Sequence, residues 1–439
     1  MAKLTVLVCP MDWGLGHASR CVPVIRAFLD AGCRVVVAAD GGGRKLIEGE
    51  LGVSKELPHG HLPRPEVTGF PGFRVSWHGR FPLLRFIVRL PFFLWHTRRE
   101  GEELARLVSQ YGAQVVVSDN RYGLAHPSVY SVIITHQLRP SLPSLLKMFE
   151  GSVAWMVRRM VGRFDECWIP DCPGGPVAGK LVRGWERLPA AFFVGLLSRF
   201  GVPDRYRSTA SERYRLLFVL SGPEPARTIF EGKVRGMMRS SGIRALLVQG
   251  LPDAANKRCF LTTDKAGSRA ERQSCPEAAA QGAVAGLKNV QQDLAKEDLC
   301  FVETEAEGDL HVVQFLDSRG LLEAMEMSGL VVCRSGYSTV CDLLVAGREA
   351  VLVPTPGQTE QEYLGRWLSA KGYFRVISQE ELAPERLQQI LAVEGSGKSE
   401  IIEAGGYAAD DGTLLRNRVA EVLRRVAPSE IEHQEKRDG

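Results

Sequence analysis

"VCRSGYSTVCDLLVAGREAVLVPTPGQTEQEYL", residues 332–364, is the stretch that decides the fold. It opens inside an apolar run, "GLVVC", that ends at Arg334-Ser335-Gly336. It continues into a helical pattern, "TVCDLLVAG", and reaches a second apolar run, "EAVLVP". Apolar, β-branched runs without alternation mark strands buried on both faces, so the stretch reads as a βαβ unit of a parallel sheet. Thr339 and Asp342 are three apart and share a helix face. An acid there can accept two hydrogen bonds from a ribose diol, and a helix start preceded by Ser-Gly can hold a diphosphate. Gln358, Glu360, Gln361 and Glu362 then cluster at the carboxyl end of a strand, where open α/β sheets bind ligands. Such groups suit the hydroxyls of a sugar; a loop this polar is also often simply solvated.

Working outward, the same alternation fills most of the chain. Near the start, "KLTVLVC" is a strand, and the following helix has apolar positions at Cys21, Val24, Ile25 and Phe28 and stops at Gly32. "CRVVVAAD", "AQVVVSD", "SVYSVIIT" and "ECWIPD" are further strands, with helices "GGRKLIEGELG" and "EELARLVSQYG" among them. A second series contains "YRLLFVLSG", "IRALLVQG" and the opening stretch. Such βαβα order implies parallel sheets covered on both faces. The expected organisation is two doubly wound, Rossmann-like domains facing a central cleft. Residues 1–195 form the first, 196–212 a linker and 213–410 the second. Within the second, residues 253–298, poor in periodic apolar positions, read as a flexible insertion. Residues 411–439 read as a helix and a disordered tail.

Gly14-Leu15-Gly16-His17 follows the first strand and opens a helix. Glycines there let backbone approach a ligand, and free helix-start N–H groups attract negative charge. The same pattern occurs in ordinary tight βα turns. It also approximates a dinucleotide fingerprint, with Asp40 ending the next strand, although Ser19 replaces the third glycine and His17 would crowd a pyrophosphate. "SDNRYGLAHP" and "ITHQLRP" put Asp119, Asn120 and Arg121, then His136 and Gln137, at strand ends on the same rim as His17. With Gly14 and Gly16, they are candidate acceptor-side groups; turn and capping roles remain the alternative.

Residues 79–100, "GRFPLLRFIVRLPFFLWHTRRE", place Arg85 and Arg89 on one helical face, interrupt the pattern at Pro91, and set aromatics beside Arg98 and Arg99. Aromatics beside arginines suit the headgroup region of an anionic bilayer; a buried helix lining the cleft is the other reading. The segment is too interrupted to span a bilayer.

Composition narrows the classes. The chain has 439 residues, 45% hydrophobic and 24% charged, with a net charge of +4. That charge is too small to argue for nucleic acid. Ten cysteines are scattered without a Cys-x-x-Cys pair, so neither a zinc site nor a thioredoxin-like motif is indicated, and a reducing cytoplasm is expected. The opening "MAKLTVLVCP" reads as a strand, not as a secretory signal core.

Together the two glycine-containing stretches resemble glycosyltransferases of the GT-B fold, most closely the lipid-II-forming N-acetylglucosaminyltransferases of family 28. The similarity is densest from "VVQFLDS" through "LVVCRSGYSTVCDLLVAGREAVLVPTPGQTEQEY". The N-terminal Gly-x-Gly-His resembles the family's glycine-rich loop, which carries one more glycine. The resemblance implies that Leu316 meets uracil through backbone groups, and that Ser335, Gly336 and Thr339, beside Arg334, lie against the diphosphate. It implies further that Asp342 binds the ribose and that Gln361 and Glu362 face the donor sugar. The family has Glu in place of Asp342, two glutamines in place of Gln361-Glu362, and Asn in place of Gly365, which leaves the donor sugar open. "LSGPEPART" stands where the family has a phosphate loop, so Ser221, Gly222 and Arg227 join the donor-side set, Arg227 as its positive charge.

The expected function is inverting transfer of a sugar from a UDP-sugar to a lipid-linked or cell-envelope glycan acceptor. His17 is the favoured base, and Asp119 is its orienting partner or the base itself. No Asp-x-Asp motif is present, so a metal-independent reaction without a cofactor is expected. The expected location is the cytoplasm, on the inner face of the plasma membrane. A nucleotide-sugar epimerase or hydrolase, a NAD-binding oxidoreductase and a non-catalytic sensor are the alternatives.

Overall fold

The computed structural model describes residues 3–12, 14–52, 64–70, 82–201, 212–239, 241–252, 305–307, 309–392 and 412–427. The 253–298 insertion, most of the linker, and the tail beyond residue 427 lie outside the described residues.

The first sheet has the order β3-β2-β1-β4-β5-β6-β7. Its strands are β1 (Thr5–Cys9), β2 (Arg34–Ala38), β3 (Glu66–Thr68), β4 (Val115–Asp119), β5 (Tyr130–Ile134), β6 (Glu166–Ile169) and β7 (Ala191–Phe193). All its pairings are parallel. Each residue of β1 and β4 is buried, as continuous Val/Leu runs require when helices cover both faces. Helix α1 (Leu15–Asp30) buries Cys21, Val24, Ile25 and Phe28, and Gly32 ends it with a positive φ of 82°. Helix α2 (Gly41–Glu50) follows β2.

Helix α3 (Pro82–Tyr111) corrects one expectation. It runs unbroken past Pro91, where an interruption was expected, and joins two segments read as separate. A helix flanked by long stretches on either side can absorb the loss of one N–H donor. Side chains 82–94, including Arg85 and Arg89, lie outside the described residues, so the headgroup reading of this segment is not addressed there. Helix α4 (Glu150–Val161) covers β5 and β6.

The second sheet has the order β10-β11-β9-β8-β12-β13-β14. It comprises β8 (Tyr214–Val219), β9 (Ala245–Val248), β10 (Glu305–Glu307), β11 (Leu310–Val313), β12 (Ser328–Cys333), β13 (Ala350–Leu352) and β14 (Arg375–Val376). Only β10 runs antiparallel to its neighbour. Helices α5 (Ala226–Met238), α6 (Ser318–Glu326), α7 (Tyr337–Val345) and α8 (Thr359–Ala370) connect these strands.

After the short α9 (Leu387–Leu391), α10 (Thr413–Val426) returns to the first sheet. Its buried Leu415, Val419 and Val422 share a cluster with Val6, Phe28 and Trp168, and Arg418 pairs with buried Glu166 at 2.6 Å. The chain end thus clips the second domain to the first, and the two sheets face each other across the starts of α1 and α7.

Candidate active site

Gly14 caps α1 with a φ of 84°, a left-handed conformation that favours glycine. Gly16 allows a close approach: a Cβ there would stand 3.2 Å from Ser338 Oγ of the other domain. Ser338 Oγ donates to Gly16 O at 2.8 Å. The starts of α1 and α7 are thereby joined. Neither has a side-chain cap or an acid in its first turn, so both offer backbone N–H groups to an anion.

His17 stands in the first turn of α1, and Asp119 ends β4, the neighbour of β1. His17 Nδ1 lies 2.8 Å from Asp119 Oδ2. Arg20, one turn after His17, donates from Nε to Asp119 Oδ1 at 2.6 Å. Asp119 is fully buried and Arg20 nearly so. Burial alone would raise the Asp119 pKa, but Arg20 and His17 outweigh it and hold the carboxyl below its ordinary value. An ionised carboxylate accepts only, so His17 donates Nδ1–H to it; Arg20 Nη2, a donor only, also lies 2.9 Å from that nitrogen and makes no hydrogen bond to it in this tautomer. That assignment, made from the partners, leaves the lone pair on Nε2. The His17 side chain is 17% exposed.

The network continues across the cleft. Arg20 Nη1 lies 3.0 Å from His136 Nδ1, and His136 Nε2 lies 2.8 Å from Glu360 Oε1 at the start of α8. Gln137 donates to the other oxygen of Glu360. The Tyr337 ring stacks on His136 with centroids 3.9 Å apart. Burial lowers the His136 pKa; Glu360 opposes and Arg20 adds to the lowering. Neutral His136 therefore accepts at Nδ1 and donates at Nε2. The polar chain Asp119–Arg20–His136–Glu360 spans both domains.

Arg20 was missed in the sequence. Its one signal was its position three residues after His17, on the same face. Asp171, also missed, ends beside β6 with its carboxylate accepting from the backbone N–H groups of Cys172, Val177 and Ala178; burial pushes it up to about 7.

Other expected residues are turned inward. Arg121 pairs with Glu100 at 3.2 Å and lies over the Phe70 ring, so it braces the first domain and does not line the acceptor side. Asn120, with a φ of 56°, accepts from Tyr122 and Thr135. In the second domain, Arg334 is fully buried. It donates to Val353 O, Pro354 O, Ala226 O and Gln379 Oε1, and burial lowers its pKa to about 10. It holds strand ends together and offers no charge to a diphosphate.

Arg227 was expected to supply that charge, but its guanidinium is occupied by Glu224 at 2.6 Å and Glu231 at 2.8 Å. Asp342 is buried against the linker. It accepts from Ser198 Oγ at 2.7 Å and Arg199 Nε at 3.2 Å, so a ribose contact would require it to leave both. Burial raises its pKa against the opposing pull of Arg199. Gln361 accepts from Thr355 N and donates to Gln358, Glu362 accepts from Gly357 N, and Ser335 Oγ donates to Gln361 O. These four shape the 354–362 loop. Gly336 caps α7, with Thr339 Oγ1 beside it. Leu316, half-buried, lies between β11 and α6. Ser221 and Gly222 (φ 102°) follow β8.

Comparison with known proteins agrees with this architecture. Residues 277–402 match the glycosyltransferase family 28 C-terminal domain. The chain is 32% identical over 116 residues to a transferase of Histophilus somni (strain 129Pt), over 26% of this chain and 31% of that protein. Its name is UDP-N-acetylglucosamine--N-acetylmuramyl-(pentapeptide) pyrophosphoryl-undecaprenol N-acetylglucosamine transferase. The like-named protein of Actinobacillus pleuropneumoniae serotype 5b (strain L20) is 30% identical over 161 residues, 36% of this chain and 45% of that one. The chain thus spans less than half the length of these relatives.

Among solved structures, the glycosyltransferase SnogD from Streptomyces nogalater superposes with a TM-score of 0.54 at 14% identity, covering 97% of this chain and all of that one. LpCGTa in complex with UDP gives 0.56 at 16% identity, covering 98% and 100%. The fold is GT-B: two parallel α/β sheets, as the sequence resemblance implied.

Proposed function

We propose that this chain is an inverting, metal-independent glycosyltransferase that moves a sugar from a UDP-sugar to a lipid-linked or envelope glycan acceptor. The similarity of residues 277–402 to family 28, and the UDP-sugar named for the relatives, support the donor class. The observation that carries the chemistry is the 2.8 Å contact between His17 and buried Asp119 at the start of α1.

In this reading His17 Nε2 takes the proton of the acceptor hydroxyl as its oxygen attacks the anomeric carbon. The bond from that carbon to the diphosphate oxygen breaks, UDP leaves, and the anomeric configuration inverts. Asp119 fixes the tautomer and stabilises the imidazolium; Arg20 keeps Asp119 ionised. The backbone N–H groups at the starts of α1 and α7 stabilise the departing diphosphate, without the added charge expected of Arg227. Glu360 meets His136 only with the domains together, which links closure to the His17–Asp119 pair. A peripheral position on the inner face of the plasma membrane follows from a lipid-linked acceptor.

The test is transfer from radiolabelled UDP-N-acetylglucosamine and other UDP-sugars to undecaprenyl-linked acceptors. His17→Ala should lower turnover about a hundredfold or more with UDP affinity near wild type. Turnover of donor at the same rate without any acceptor would sink the transferase reading in favour of a hydrolase or epimerase.

A further inference from the structure

Between β6 and the Gly179–Val182 turn runs "DCPGGPVAG", residues 171–179, a loop of the first domain that the chemistry above leaves unused. Its prolines, Pro173 and Pro176, have no backbone N–H to give, so it cannot build a regular element of its own. Asp171 organises it instead. The side chain is fully buried. Oδ1 accepts from the N–H of Cys172 at 2.8 Å, and Oδ2 accepts from those of Val177 at 3.2 Å and Ala178 at 2.7 Å. Two further amides close on the loop's own carbonyls, Gly175 N on Cys172 O at 2.9 Å and Gly179 N on Gly175 O at 2.8 Å. A buried carboxyl costs stability unless it is hydrogen-bonded, and an ordinary surface turn has no need of one.

What this loop carries is the other domain. Pro170 O, just before it, accepts from the hydroxyl of Tyr337 at the start of α7. Pro176 O accepts from Trp367 Nε1 at 3.0 Å, and Lys180 N donates to the Tyr363 hydroxyl at 2.7 Å; both aromatics belong to α8. Gly179, with a φ of 57°, lies so close that a Cβ there would stand 2.7 Å from the Trp367 ring. Val177, Ala178 and Leu181 share one core cluster with Tyr337, Val340 and Leu364. The Tyr337 ring in turn stacks on His136, so the same contacts reach the network around His17 and Asp119.

We propose that Asp171 is a positioning residue for the donor: its carboxyl group sets the 172–179 loop on which α7 and α8 rest, and so fixes the Gly336 turn and the 354–362 loop at the cleft. It touches no substrate itself. Gly336 caps α7, and α8 grows out of the 354–362 loop, so a shift of either helix moves those groups with it. Close-packed helices transmit such a shift, and a misplacement of about 1 Å is enough to weaken a site. Asparagine in place of Asp171 would turn an NH2 group toward the amide of Cys172 or toward those of Val177 and Ala178, donor against donor. The identity of the ligand rests on the transferase reading; the seam between the loop and α8 rests on the contacts alone.

The experiment compares the full chain with Asp171→Asn, Asp171→Ala and Trp367→Phe. Amide hydrogen exchange reads the loop and the helices, calorimetry reads UDP affinity, and thermal unfolding checks that each variant is folded. Asp171→Asn should speed exchange about tenfold in residues 172–180 and in α7 and α8, leaving α2 and α5 within about twofold. UDP affinity should fall about tenfold, and in transfer assays KM for the UDP-sugar should rise by more than kcat falls. Trp367→Phe keeps Asp171 and cuts one contact from the α8 side, so it should give the same pattern at about threefold. Faster exchange confined to residues 172–180 overturns the proposal, and so does unchanged UDP affinity with α8 loosened. If the Asp171 variants do not fold, unchanged exchange and UDP affinity in Trp367→Phe overturn it. Wild type that binds no UDP strikes the transferase reading; loosening of α8 in Asp171→Asn then still supports the seam, and an unchanged α8 still overturns it.

Discussion

The two walls of the cleft use their polar residues in opposite ways. On the first-domain wall, His17, Arg20, Asp119 and His136 come from α1 and the ends of β4 and β5 and converge into one buried network. On the second-domain wall, Arg334, Asp342, Gln361 and Glu362 turn away from the opening to hold strand ends, the linker and a loop. What that wall offers a ligand is mainly backbone: the start of α7, the Gly336 turn and the loop after β8. Apart from Glu360, which reaches His136, one wall therefore positions titratable side chains and the other positions amides. A diphosphate can be met by amides without a full charge, whereas proton transfer needs a side chain held at a defined atom.

The sharpest way to break this contrast is to remove the centre of the first network. Asp119→Ala would leave Arg20 buried without its carboxylate, and losing one partner of a buried ion pair costs about 3–5 kcal/mol. Chemical denaturation should show a loss of that size together with loss of transfer activity. Asp119→Asn keeps the shape and should lose less stability, yet His17 would no longer be held in one tautomer. If Asp119→Ala is as stable as wild type, the network is not the brace described here.

The second wall gives a smaller effect of a different kind. Asp342→Ala strands Ser198 and Arg199 at the linker, a loss of about 1–3 kcal/mol for a buried group left unsatisfied. Calorimetry should find UDP affinity changed less than about tenfold, because the carboxylate faces the linker. A large fall in UDP affinity at unchanged stability would return Asp342 to the ribose role that its place in "RSGYSTVCD" suggested.

Those two residues also show where the sequence was legible. The period of the apolar runs revealed the parallel sheets, since a strand buried on both faces has no polar position to spare. His17 and Asp119 were legible because strand ends on one rim must lie near each other. The direction of a side chain was not. Asp342 and Arg334 occupy the positions of a donor site in sequence, but whether they meet ligand or linker depends on Ser198, Arg199 and Gln379, far along the chain. The return of α10 to the first core was equally hidden, because an amphipathic helix does not say which core it covers. Arg20 was not legible because the partner that gives it a role, Asp119, lies 99 positions away.

The smallest effect concerns the join between the walls. Burial depresses the His136 pKa below the ordinary histidine value of 6.5, so the folded protein binds fewer protons here than the unfolded chain. The stability carried by neutral His136 is therefore present above pH 6.5 and is lost as pH falls toward the depressed value. The groups facing His136 are Arg20 and His17 from α1, Gln137 beside it, Tyr337 from α7 and Glu360 from α8. Of these, Glu360 opposes the depression most strongly. Glu360→Gln removes that opposition, so it should depress His136 further and extend the stability loss to lower pH, while His136→Gln should abolish this slope. Denaturation midpoints measured between pH 5 and 7.5 separate the cases. Asp171, pushed up to about 7, titrates in the same window with the opposite sign, so the comparison decides: the same slope for wild type and His136→Gln would mean that the two walls are not joined through a neutral histidine.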